Sequence, residues 1–583
     1  MATFIGVVGA YVALALLKLI GIFTNLFFFQ RWSTALVSPA GNTLGGFEVI
    51  VPVVGALVIG VMARYGSERI RGHGIPEAIE AILINGSRID PKVAVLKPVS
   101  SAISIGSGGP FGAEGPIIMT GGAVGSLVAQ FFHLTSAERK TLLVAGAAAG
   151  MSATFAAPVA SVLLAVELLL FEWKPRSMIP VALAAAAAAA TRRYIMGMGP
   201  LFPVPAHAAF IGPGGLAGCV VAGVLAGGLS ALLTLAVYAS EDSFAKLPIH
   251  WMWWPAIGGL VIGIGGLVCP QALGVGYDTI GAMMSGQITL RLIVLILIVK
   301  SIIWSVSLGS GTSGGVLAPL LMMGGALGGL ESLVLPPEGA GFWALVSMGA
   351  ILGGTMRAPF TGVIFVLELT HDVNLMLPLL VAVTIAHGFT VLLLRRSILT
   401  EKVARRGFHL SREYAVDPLE ILFAREVMRT NVVALSQNAP FPVLVESLRV
   451  DPAKGPQRLF PIVDDSRSLC GVVTRVDLQR IVDKGAAAAE RELESIVRPT
   501  PTVAYPDEPL RVVVYRMAET GLTRLPIVTP NDGHEFVGLI ALDDLLRART
   551  LNLEAERRRE RVLRMPFGLA SLFRSETAQN SGD

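Results

Sequence analysis

Residues 106–125 read GSGGPFGAEGPIIMTGGAVG and residues 309–328 read GSGTSGGVLAPLLMMGGALG. At a constant offset of 203 the two segments agree at ten of twenty positions, six of them glycine. A second pair follows in the same order. Ala157-Pro158 has Glu167 nine residues after the proline, and Ala358-Pro359 has Glu368 nine residues after it, at an offset of 201. Two blocks agreeing in order mark a duplication, with a two-residue deletion between the halves. Duplicated halves whose apolar helices are interrupted by Gly and Pro point to a transporter-type binding site at the interface of the halves. The halves are inverted if each holds an odd number of spans.

Composition sets the solvent. The chain is 53% hydrophobic and 15% charged, with mean hydropathy +0.66. Soluble domains carry about a quarter charged residues, so one soluble enzyme is excluded. Apolar runs fill Met1 to about Leu394, at 2–29, 47–63, 116–133, 141–171, 178–190, 211–238, 255–268, 290–308, 315–335, 341–355 and 359–394. Several are too long or too short for one span of roughly 20 residues. Irregular backbone at membrane depth survives only where protein buries it or it lines a wet cavity. The first residues lack a basic segment followed by a cleavage site, so the run starting at Met1 reads as a retained helix. Trp251, Trp253 and Trp254 read as an interfacial aromatic belt. Cys219, Cys269 and Cys470 lie far apart and form no metal spacing or disulfide framework. A net charge of +4 gives no reason to expect a nucleic-acid partner. After Arg395 charges become frequent and the apolar runs short. The reading is a membrane domain at 1–399, a linker at 400–426, soluble repeats at 427–484 and 495–550, and a basic tail at 551–583.

The repeated blocks share one grammar: a Gly-rich loop, a proline, then an apolar helix, as in Glu114-Gly115-Pro116 and Leu317-Ala318-Pro319. Gly72-His73-Gly74-Ile75-Pro76 has the same form. Proline is favoured at a first helical position, and a helix N-terminus carries roughly half a positive charge. Several such ends aimed at one point hold an anion without a full cation, which would release it slowly. Glu114 is the one carboxylate in the two repeated blocks. An acid at membrane depth is costly and defaults to a functional reading. Beside helix N-termini it can occupy the anion site as a tethered competitor and leave it when protonated. Glu77 reads as a first-turn helix acid, while Glu167 and Glu368 lie at helix ends with structural and functional roles both open.

These loops resemble those of the CLC family of chloride channels and chloride/proton antiporters. Gly72–Pro76 looks like the family's GSGIP, Gly112–Pro116 (GAEGP) like GREGP, and Gly315–Pro319 (GVLAP) like GxFxP; Gly146–Glu167 and Arg357–Asp372 are also similar. The resemblance implies an all-α polytopic membrane domain with an inverted internal repeat, in a homodimer with one anion path per subunit. It implies that His73, Ala113, Gly115, Val316 and Leu317 surround the chloride, with Glu114 as gate. It also implies departures. His73 stands for the family's coordinating serine, Ala113 for an arginine and Leu317 for a phenylalanine, and no tyrosine lies near Leu399 where the family has one. The internal glutamate of many antiporters falls at Leu168, leaving Glu167, Glu172 or water as a proton path. His73 either donates to the anion or packs passively.

Within the soluble part, Phe460-Pro461-Ile462-Val463 and GVVTRVD (471–477) are echoed by Leu525-Pro526-Ile527-Val528 and GLIALDD (538–544). This resembles an α/β tandem pair of CBS domains, which the family places in the cytoplasm. In such pairs a Thr/Ser and an Asp bind the ribose of an adenine nucleotide. Thr474 and Asp477 keep that pair, and Asp544 remains opposite Ala541. They hold a nucleotide (ATP, ADP or AMP) or merely cap a helix. The expectation is chloride transport across a plasma or inner membrane, as a channel gated by Glu114, with a chloride/proton antiporter as the alternative and a membrane-anchored nucleotide sensor as a remote one. No cofactor beyond the transported ion is required for any transport reading, and neither a nucleophile–base pair nor a P-loop marks an enzyme.

Overall fold

The computed structural model describes residues 1–83, 87–405, 419, 422–449, 457–530 and 534–557. The basic tail beyond 557 and most of the expected linker lie outside these residues. Two compact units divide at Tyr414 and Ala415.

The first unit is helical. Six helices are long and apolar enough to cross a membrane, among the described residues: Ala2–Phe29, Gly45–Tyr65, Pro213–Ala245, Trp251–Val268, Leu290–Gly309 and Val373–Lys402. The overlong apolar runs are split. Residues 141–171 break after Ser136–Phe155, where Ala156 adopts φ 56°, and resume at Pro158–Leu164 with a π-helical turn Ala165–Leu170. Residues 359–394 break after Pro359–Thr370, with His371 at φ 60°. Ala156 and Arg357 (φ 57°) are repeat equivalents, each just ahead of an Ala-Pro pair that starts a new helix. Proline disfavours helical backbone at the residue before it, and Ala157 and Ala358 are non-helical, at φ −122° and −125°.

Reciprocal hydrogen bonds define how the halves meet. Gly112 donates to the carbonyl of Gly315 at 3.2 Å, and Gly315 donates back to Gly112 at 2.9 Å. The Glu167 carboxylate accepts from the amides of Phe360 (3.1 Å) and Thr361 (2.9 Å), capping the Pro359 helix. Glu368 accepts from Val159 (3.0 Å) and Ala160 (2.7 Å), capping the Pro158 helix. Each half therefore caps the other at equivalent residues. Such an exchange requires a two-fold relation, with the pseudo-axis passing between Gly112 and Gly315. Glu368→Leu would strand two first-turn N–H groups and is expected to cost about 1–2 kcal/mol, read as a lowered unfolding temperature in detergent; an unchanged temperature would reduce the cap to a surface contact.

The relation extends to two buried lysines. Lys97 donates to the carbonyls of Ile70 and Gly72, both at 2.8 Å. Lys300 donates to Ala272 at 2.8 Å and Gly274 at 2.9 Å. Both ammonium groups are fully buried. Each pins a Gly-x-Gly turn, Gly72–Gly74 in one half and Gly274–Gly276 in the other, with positive φ at all four glycines.

The second unit is α/β. Strand Leu459–Val463 pairs antiparallel with Leu469–Thr474, and Arg524–Val528 with Phe536–Ala541; both pairs shift register at the same place, Ile462/Val463 and Ile527/Val528. The copies meet through a second reciprocal exchange, Leu469 N–H to His534 at 3.1 Å and Phe536 N–H to Arg467 at 2.9 Å. Each copy has its own core, around Phe460, Ile462 and Leu478 in the first and Leu525, Ile527 and Leu545 in the second.

Candidate anion site

The two repeated loops end in helices Glu114–Gln130 and Leu317–Glu331. Pro116 and Pro319 are third in these helices rather than first, so Glu114 and Leu317 are themselves first-turn residues. The first turn has no intrahelical use for its N–H groups, and proline there strands none. Each helix is pressed against the next by glycine. A Cβ on Gly125 would meet the Leu142 carbonyl at 2.1 Å, and one on its equivalent Gly328 would meet that of Trp343 at 2.1 Å.

The amide of Ala318 donates to Oε1 of Glu114 at 3.0 Å. A carboxylate from one half thus sits on the N-terminus of the other half's helix, where the macrodipole is positive. The residue is fully buried, and its Oε2 has no hydrogen-bond partner. Glycines make the room: a Cβ on Gly112 would stand 1.7 Å from Oε2, and one on Gly315 2.6 Å from it. Ala113, Val316 and Leu317 are fully buried around this point, and Gly115 faces the His73 carbonyl. The amide that Glu114 accepts from belongs to Ala318, the residue after the expected anion neighbours Val316 and Leu317.

His73 is 5% exposed, and its Nδ1 is buried without a partner. It lines a cavity of about 400 Å³ together with Arg71, Glu77, Tyr238 and Lys402. Glu77 accepts from the Gly74 amide at 2.8 Å and from Lys402 at 2.6 Å, so it caps its own helix, Ile75–Leu83. Leu399 is fully buried, and Tyr238 donates to the carbonyl of Ile398 at 2.5 Å. A tyrosine from another helix thus reaches the place where the resemblance leaves one missing, but its hydroxyl proton is spent on backbone. The equivalent loop of the second half lines a smaller cavity of about 50 Å³, which includes Tyr277. The Tyr277 hydroxyl is buried without a partner.

Other expected site residues lie elsewhere. Glu167 is taken up by its helix cap, and also accepts from the Thr361 hydroxyl at 2.6 Å. Glu172 accepts from Ser177 at 2.8 Å and pairs with Lys174 at 3.5 Å. Of the tryptophans read as a belt, only Trp253 is well exposed, at 49%. Trp251 and Trp254 instead hold the Arg71 guanidinium, at 4.5 and 5.8 Å from their ring centroids. A cation–π partner 180 residues upstream leaves no local sequence signal. Lys97 and Lys300 did leave one, since they share the offset of 203.

In the second unit, the Thr474 hydroxyl accepts from the Asp477 amide at 3.2 Å and donates to its carboxylate at 2.7 Å, at the start of helix Arg475–Asp483. Asp544 accepts from the Ala541 amide at 2.9 Å and from Arg429 at 2.8 Å. Both aspartates serve local caps.

Buried helix ends sharing a tethered acid, in a two-fold membrane unit, define a carrier or conductor of small anions. The family model "Voltage gated chloride channel" matches residues 54–391, and the CBS domain model matches 424–484 and 493–550. The chain belongs to the CLC family, a family of anion channels and transporters, and carries two CBS domains. Among its relatives are the H(+)/Cl(-) exchange transporter ClcA of Salmonella arizonae, 31% identical over 60% of this chain and 76% of that protein, and a putative chloride channel protein ClcB-like of Ralstonia nicotianae, 29% identical over 58% and 80%. Its fold is similar to that of a slow cyanobacterial Cl-/H+ antiporter (TM-score 0.62, 21% identity, 70% of this chain and 96% of that one). It is also similar to a eukaryotic CLC transporter (TM-score 0.58, 18% identity, 93% and 97%).

Proposed function

We propose that this protein exchanges chloride for protons, with Glu114 carrying the proton and alternating with chloride at the helix ends. The observation that carries this reading is the Glu114 carboxylate on the Ala318 amide, where an anion would be held. Protonation removes its charge, frees the amide and lets chloride enter. An acid that must leave protonated for the anion to bind couples two ions through one place. The relatives named as exchange transporters favour this alternative over the passive channel expected first from the sequence. Leu168, fully buried and apolar, is no obstacle if the proton arrives by another route.

The protein works as a homodimer in a plasma or inner membrane, with the CBS pair in the cytoplasm and an adenine nucleotide at Thr474, Asp477 and Asp544. Titration of AMP into the full chain in lipid nanodiscs is expected to give saturable heat that Asp477→Ala removes; no heat at millimolar AMP would leave these residues as caps. The transport reading is tested in liposomes under a chloride gradient, with valinomycin and equal potassium on both sides to carry the compensating charge. Chloride leaving down its gradient is expected to drive protons inward against theirs. Chloride flux with no proton movement would establish a channel.

A further inference from the structure

An exchanger of this kind needs a route for protons to Glu114, and the acids expected to supply it are engaged elsewhere. Leu168 has no proton to give. Glu167 accepts from two amides and a hydroxyl of the opposite half. Glu172 is paired with Lys174 and Ser177. His73, by contrast, stands between a cavity of about 400 Å³ and the loop of Glu114. Its carbonyl touches Gly115 so closely that a Cβ there would be 1.7 Å away. Its Nδ1 and the Oε2 of Glu114 are both buried polar atoms without a partner. Orphaned buried polar atoms are rare enough to ask for a use.

We propose that His73 is the proton relay between this cavity and Glu114, in the position where the family has a serine. A hydronium ion in the cavity gives a proton to one ring nitrogen and is left as water. The other nitrogen passes its proton to the Glu114 carboxylate, and only N–H and O–H bonds change. The ring is left neutral in its other tautomer and resets by rotation. Burial is the largest influence on the ring and disfavours the imidazolium; Glu77, on the helix that follows His73, favours it, and Lys402 and Lys97 oppose it. Glu68, Glu80 and Glu241 line the same cavity with the cations Arg69 and Arg71, and Glu68 pairs with Arg71 at 3.1 Å.

This inference rests on the exchanger reading, and the wild-type protein separates the two. Wild-type vesicles that move chloride but no protons would remove the exchanger and the relay with it. With coupling present in the wild type, His73→Asn keeps a polar side chain of similar reach and cannot shuttle protons. Proton flux is expected to fall at least about 100-fold, far more than chloride flux, and the reversal potential to move toward that of chloride alone. Imidazole in the bath is expected to restore part of the proton flux in His73→Gly. Unchanged coupling in His73→Asn would overturn the relay while leaving the exchanger standing. Loss of both fluxes in a folded His73→Asn protein would also overturn it and make His73 part of the anion path. If His73→Asn does not fold, His73→Gln is read by the same criteria.

Discussion

Glu114→Gln is expected to pass chloride while moving no protons. Glutamine is nearly isosteric with a protonated glutamate and keeps no charge to hold on the Ala318 amide. The amide is then open to chloride at every pH. Proton flux should drop by at least about 100-fold, the scale set by removing a group that carries the proton. The sign of the pH dependence follows. In the wild type, falling pH protonates Glu114, frees the helix end and raises chloride flux. In Glu114→Gln the flux should be flat with pH. Stopped-flow or electrode recording of chloride efflux between acidic and neutral pH reads both. A Glu114→Gln protein whose flux still rises on acidification would take Glu114 out of the gate.

Gly115→Ala is expected to abolish anion transport by a purely steric route. Its added Cβ would lie 1.7 Å from the His73 carbonyl and 3.2 Å from the Gly315 Cα. Neither neighbour is a flexible side chain. Three loops meet at this residue, so they must part, and the helix ends lose their common focus. Overpacking of a well-filled interior costs about 1–3 kcal/mol, but the larger effect is geometric. Chloride flux is expected to fall to the background of empty vesicles, with a folded protein still present by size-exclusion chromatography. Wild-type flux in Gly115→Ala would show that the three loops need not converge.

The site was legible in the sequence to the extent that backbone, not side chains, builds it. Loops that must approach closely and begin helices can use few residues other than Gly and Pro, so the duplication stands out at 106–125 and 309–328. The same reason made the CBS-like copies visible, through the Pro-Ile-Val strands and the aspartate that opens each following helix. What stayed hidden were pairings across long sequence distance. Glu167 and Glu368 were visible as equivalents, but their exchange of caps between halves is a property of the two-fold packing, and no local pattern encodes it. Lys97 and Lys300 share the repeat's offset, but no local pattern shows which carbonyls they hold. The tryptophans hid a contact for a related reason: nothing near them in the sequence shows Arg71 against Trp251 and Trp254. Helix starts were off by two residues at Pro116 and Pro319, because proline is tolerated throughout a first turn.

The central claim is that Glu114 and a halide compete for one place at the ends of the Glu114 and Leu317 helices. Crystals of Glu114→Gln grown in bromide and measured at the bromine absorption edge test it directly. An anomalous peak within hydrogen-bond distance of the Ala318 amide, absent or weaker in the wild type at neutral pH, is the predicted result. Bromide bound equally in both proteins, or only away from those helix ends, would contradict it.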